Sequence, residues 1–195
     1  MPRPREFDET QVLAAAVSRF WAYGYEATSV RDLADSMGIA GASLYNAFGD
    51  KRSLYRRALD HYVVQSVGER IVRLERDFPP RAAIGAFLDE VIERSLSDPE
   101  RKGCMLVNAA LEVAPHDPEF QRVVAGVMKE IEAFFHRCVQ KGQADGTIKA
   151  AQNADELAKL LLSVLLGIRV LARARPERDL LEGLARSVAT VLDQR

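Results

Sequence analysis

The chain is poor in cysteine, tryptophan and long apolar runs, and each shortage excludes something. Cys104 and Cys138 are the only two thiols among 195 residues. That is too few for the disulfide framework of small secreted domains, so a reducing, cytoplasmic setting is expected. The most apolar run, Leu160–Ile168, has nine residues bounded by Lys159 and Arg169. A membrane-spanning helix needs about 20, so no membrane partner is expected and the run reads as a buried helix. The first residues, MPRPREFDETQ, lack the apolar core of a secretory signal. His61, His116 and His136 are scattered, and His136 and Cys138 lie two apart on a helix, off a common face. No metal or other cofactor is expected. No nucleophile, base and orienting group stand in register, so an enzyme is not expected. The net charge of −1 gives no overall attraction for nucleic acid, so such a role has to rest on local placement.

Strand-type alternation is missing, and helical periodicity runs throughout, broken by Gly, Pro and capping residues. An all-α fold of about nine helices follows: 9–23, 30–37, 41–48, 51–76, 80–96, 103–113, 118–142, 154–174 and 179–193. Two parts are expected, 6–66 and 67–195, joined rigidly through the long fourth helix.

The stretch GIAGASLYNAFGDKRSLY, Gly38–Tyr55, holds three glycines and many small residues. Two short helices separated by MGIA fit a helix-turn-helix, with Gly38 at a turn that needs φ > 0. Ser29 and Asp32 have the spacing of a capping box. Val30, Leu33, Ala34 and Met37 supply the buried face of the second helix, and Ile39, Leu44 and Phe48 that of the third. Gly41, Ala42, Ser43, Asn46 and Ala47 remain outward. Small outward side chains allow close approach to another surface, as a helix in the DNA major groove requires. Lys51, beside helical amide dipoles, suits a phosphate oxygen, and Tyr45 supplies a hydroxyl for a second one. Arg3 and Arg5 on a leading arm, and Arg31, point to the same partner.

The segment from Phe20 to Tyr55 resembles the DNA-binding domain of TetR-family transcriptional regulators. Phe20, Gly24–Tyr25, Thr28–Ser29, the turn glycine, Leu44–Tyr45, Phe48 and Lys51 all stand in that family's register. The candidate DNA contacts are therefore Thr28, Ser29, Arg31, Ala42, Ser43, Tyr45, Asn46 and Lys51. The chain departs from the pattern at Ala40, where relatives often place a Ser or Thr cap, and at Ala47, where many place His. The first change weakens capping by about 1 kcal/mol.

The resemblance implies a repressor that binds double-stranded DNA at an inverted-repeat operator and is released by a small-molecule or electrophile signal. It also implies a divergent helical domain for effector binding and dimerisation. The last two helices carry more apolar surface than one chain has use for, through residues such as Leu160, Leu161, Leu165, Leu184 and Val188, and a homodimer would cover it. The effector itself is not legible, but an apolar cavity between the fourth and eighth helices would house one. Cys104, at a helix start two residues from Lys102, is either a sensing thiol or a small buried hydrophobe. Asn108 and Glu112, one turn apart, either anchor a ligand in that cavity or face solvent. Phe134 is core first and pocket lining second. The competing readings are a helical enzyme and a protein-binding adaptor that uses the last two helices; salt-dependent DNA binding separates the regulator from both.

Overall fold

A computed structural model describes residues 8–193; Arg3 and Arg5 lie outside the described residues. All secondary structure among them is helical. Helix α1, Glu9–Tyr23, starts at Asp8, whose carboxylate accepts from the Thr10 amide, and stops at Gly24, φ 82°. Helix α2, Val30–Met37, carries the complete Ser29–Asp32 capping box. Gly38 then takes φ 66°, a left-handed conformation that glycine adopts at little cost. Helix α3, Gly41–Phe48, starts at Ala40 without a side-chain cap. Helix α4, Lys51–Val63, is capped by Asp50, which accepts from the Ser53 amide.

These four helices share one core. Phe20, Leu33, Leu44, Phe48, Leu54 and Tyr55 are all buried, and Phe20 meets Tyr55 edge-on with ring centroids 4.8 Å apart. α1 packs along both α2 and α4.

The expected unbroken fourth helix is instead α4, a π-helical turn at Val64–Gly68, and α5, Glu69–Asp77. The rod does not break; the wider turn rotates the residues that follow it. Ser66 and Val67 face inward while Val64 stays 59% exposed. Hydrophobic periodicity does not reveal such a turn, because the apolar pattern resumes after it.

The remaining helices are α6, Pro80–Leu96; α7, Met105–Glu112; α8, Pro118–Ala144; α9, Ala154–Ala174; and α10, Arg178–Asp193. α7 begins after the position expected, because Gly103 at φ 73° is left-handed and Cys104 is extended. Phe87, Phe134 and Phe135 form a triangle of rings with centroids 5.3–5.4 Å apart at the α6–α8 contact. Each such pair adds about 0.5–1.5 kcal/mol to the burial itself. No helix among the described residues is long and apolar enough to cross a membrane.

Candidate nucleic-acid interface and effector cavity

The turn at Gly38 sets α3 against α2 so that Leu44 and Phe48 are buried and Ala42, Tyr45 and Asn46 are exposed. Ser43 and Ala47 are half-buried at the edges of the same face. The outward surface of α3 is thus small except for Tyr45, which stands 53% exposed. Arg31 on α2 is almost wholly exposed, with Asp35 at 4.0 Å one turn away.

One expectation for this face, Thr28, needs correction, and two further residues, Ser29 and Lys51, are engaged within the protein. Thr28 is fully buried and its hydroxyl donates to the Gly24 carbonyl at 2.7 Å, so it shapes the α1–α2 connection and has no surface for DNA. The Ser29 hydroxyl is exposed but engaged on both sides. It donates to the Asp32 carboxylate at 2.7 Å and accepts from the Asp32 amide; the hydroxyl and the Ser29 backbone N–H, both donating to that carboxylate, hold it below its usual range. Lys51 is not a free cation. Its ammonium donates to the carbonyls of Tyr25 at 2.9 Å and Thr28 at 3.0 Å, and sits 4.2 Å from the Tyr25 ring centre. One amide in the first turn of α4, that of Ser53, is already served by the Asp50 carboxylate at 2.6 Å. Lys51 braces the connection and has one N–H left beyond those two carbonyls.

The second half of the chain grips this unit at two places. Glu112, at the end of α7, accepts from the backbone amides of Tyr25 at 3.0 Å and Glu26 at 2.7 Å. It therefore caps the α1–α2 connection and is no anchor inside an apolar cavity. Gly24 is favoured here by its backbone, at φ 82°, and a Cβ there, 2.8 Å from the Glu112 carboxylate, would push that side chain aside. The second grip is Arg52, which pairs with Asp117 at 2.7 Å and Glu119 at 2.6 Å, while Arg56 also reaches Glu119. Asp117 caps α8, and the Arg52 guanidinium beside it holds its carboxyl down to about 2. Nothing local in the sequence announces these partners, which lie more than sixty residues away.

Below this junction lies a cavity between the π turn, α6, α7 and α9. Tyr62, Val67, Phe87, Leu106, Leu165 and Arg169 are among the residues that line it. Cys104 lines it too, half-buried, and takes the Tyr62 hydroxyl at 3.6 Å. Asn108 does not line it. Its amide donates to the Lys102 carbonyl and its oxygen accepts from Arg173, in a separate surface cleft with Glu112. Phe134 does not line it either, being fully buried behind Phe87. Two arginines also line the cavity, Arg70 and Arg169, 8% and 7% exposed, and the sequence gives little sign of it. The only available signal was their position on apolar helix faces, where long cations usually snorkel outward.

On the outer side of α9 and α10, Leu157, Leu160, Val164, Leu184, Val188 and Val191 line an apolar groove. Leu160 is 42% exposed there.

A four-helix unit that presents a small-residue helix after a left-handed glycine turn, fused to a helical bundle with a cavity, defines a helix-turn-helix regulator. Residues 12–58 match the bacterial regulatory proteins of the tetR family, and residues 80–188 the tetracyclin repressor-like C-terminal domain. The chain is 33% identical over 195 residues to the HTH-type transcriptional regulator YezE of Bacillus subtilis, covering 99% of this chain and 100% of that one. It is 28% identical to the transcriptional repressor ComR of Escherichia coli, over 97% of this chain and 90% of that one. Among solved structures, the TetR family regulator CifR, a triple cysteine mutant complexed with 26-base-pair double-strand operator DNA, superposes with a TM-score of 0.86. The two are 33% identical, and the match covers 97% of this chain and 99% of that one. The chain belongs to the TetR family of helix-turn-helix transcriptional regulators.

Proposed function

We propose that this regulator is a homodimeric repressor, which binds an inverted-repeat operator through α3 and is released when a small molecule occupies the cavity behind Tyr62. The observation that carries the reading is the outward face of α3. It offers Ala42, Ser43 and Asn46 at the surface, on a helix held by Leu44 and Phe48. Tyr45, Arg31 and the remaining N–H of Lys51 are the phosphate contacts at its margins, and Asn46 reads a base edge. The DNA-binding unit spans about 6–66 and the effector-binding and dimerising unit 67–195. The groove of α9 and α10 supplies the dimer contact. The protein acts by binding, without catalysis, in the cytoplasm. Effector occupancy is transmitted by α7 through Glu112 and by the π turn into α4. Such coupling requires that the effector bind the DNA-competent and DNA-released states with different affinity.

The test is selection of duplexes from a random pool by the purified protein, followed by affinity measurements over a salt series. An inverted repeat with affinity falling steeply in salt is expected. Asn46→Ala should relax preference at one position of each half-site by about 1–3 kcal/mol. Recovery of no preferred duplex would refute the function, and an unchanged preference in Asn46→Ala would pass base reading to Ser43, Arg31 or DNA shape.

A further inference from the structure

Arg169 projects from α9 into the cavity and is 7% exposed. Its Nη1 donates to the Ser95 hydroxyl at 3.2 Å, and that hydroxyl donates onward to the Val91 carbonyl. Among the described residues it forms no ion pair with a carboxylate. Its neighbours differ. Arg70 holds Glu90 at 3.2 Å and the Ser66 carbonyl at 2.9 Å, and Arg73 holds the same Glu90 at 2.7 Å. Two guanidiniums thus share one carboxylate and Arg169 has none. Burial and then repulsion from Arg169 push the Arg70 guanidinium below its usual range.

A guanidinium cannot escape burial by losing its proton. A buried cation without an anion is among the costliest arrangements in a protein interior, and such groups cluster where a ligand uses them. The planar fork matches a carboxylate in bidentate geometry. The rest of the lining is largely apolar: Val67, Phe87, Val91, Leu106, Ile131 and Leu165. From this combination we infer that the effector is an apolar monocarboxylate, whose carboxylate pairs with Arg169 while its hydrocarbon or aryl body lies among these side chains. The inference rests on the effector-site reading above and specifies its ligand class.

The cavity has open space of about 20 Å³, enough for a water or two. A carboxylate with a hydrocarbon body has to part its walls. One wall is Ser66 and Val67 of the π turn, and Arg70 grips the Ser66 carbonyl there. Widening the cavity therefore displaces the foot of α4, the helix that carries Lys51 and Arg52.

Trp21, the only tryptophan, reports on the site: its ring meets that of Tyr62 at 5.1 Å. The full-length protein is titrated with straight-chain carboxylates from butanoate to decanoate and with 3-phenylpropionate, each against the alcohol of the same skeleton. Trp21 fluorescence is followed, with release of the selected operator duplex in parallel. At least one carboxylate should bind ~10-fold more tightly than its alcohol, about 1.4 kcal/mol. That ratio should collapse in Arg169→Gln with alcohol binding retained. Ser95→Asp, which supplies an internal counter-ion, should abolish it as well, and decides the matter if Arg169→Gln fails to fold by circular dichroism. Equal binding of acid and alcohol by the parent, no binding by any carboxylate of the series, or an acid preference that survives in the folded variants would overturn the inference. Acid binding that depends on Arg169 without release of DNA would support the ligand class and sink the effector reading. A parent that binds no duplex would sink the repressor reading, while the acid-to-alcohol ratio still decides this one.

Discussion

Replacing Lys51 with alanine removes two separable contributions, one internal and one at the DNA. Internally, the ammonium donates to the carbonyls of Tyr25 and Thr28 and lies over the Tyr25 ring. Hydrogen bonds to charged groups contribute about 1.5–3 kcal/mol each, and a half-exposed cation–π contact about 0.5–1 kcal/mol. Lys51 is half-buried, and the freed carbonyls recover water, so the lower part of the range applies. The expected loss is about 3.5 kcal/mol, or a fall of about 7–14 °C in Tm for a chain of this size. At the DNA, losing one phosphate contact lowers the slope of log affinity against log salt by about 0.9 per subunit. Urea and thermal unfolding measure the first contribution; anisotropy on the selected operator over a salt series measures the second. An unchanged unfolding midpoint would refute the brace. An unchanged salt slope in a folded mutant would refute the phosphate contact and leave Lys51 acting on DNA only through the α1–α2 connection.

Leu160→Glu should convert a dimer into a folded monomer by light scattering, because Leu160 is surface-exposed in the α9–α10 groove. Leu165→Glu should unfold the chain, since Leu165 is buried, and a Leu160→Glu protein that remains dimeric would move the interface elsewhere. Asp117→Asn keeps the α8 cap but loses the Arg52 pair. The Asp117 pKa is depressed to about 2, so its contribution is complete above about pH 4 and is lost as pH falls toward 2. The gap between parent and mutant urea midpoints should therefore close over that window, and a constant gap would disprove the linkage. N-ethylmaleimide at neutral pH should label Cys104 alone, because burial pushes the Cys138 thiol up to about 12. An adduct on Cys104 has to fit a cavity with space for little more than water and should release DNA, a response lost in Cys104→Ser; labelling of Cys138 first would contradict this.

The helix-turn-helix was legible because its determinants are local. The Ser29–Asp32 box joins residues three positions apart, Gly38 makes its own turn, and Gly49 and Asp50 separate α3 from α4 within two positions. Such features are decided by backbone preference and by side chains that reach only the nearest turn, so spacing in the chain is spacing in space. The apolar faces of α9 and α10 were legible for the same reason, since a 3.6-residue period assigns faces before any partner is present.

The same period could not say which polar residues would be inward, or against what. Thr28 and Ser29 are adjacent and chemically alike, yet one is buried and the other exposed. Lys51 reads as a phosphate ligand until the fold brings carbonyls from 23 and 26 residues away under its ammonium. Glu112 reads as a pocket anchor until two amides arrive from 86 and 87 residues away. The π turn leaves no mark in an apolar pattern that resumes after it. Arg169 sits on an apolar face of α9, and only the packing of α6, α7 and the π turn around it shows that its charge meets a serine hydroxyl and no carboxylate among the described residues. In each case the environment of a long or ionisable side chain is set by chain segments remote in sequence. The sequence alone determined the helices, their faces and the DNA-binding motif; the tertiary structure decided which charges are spent on bracing, which pair across the two halves of the chain, and which one meets no carboxylate among the described residues.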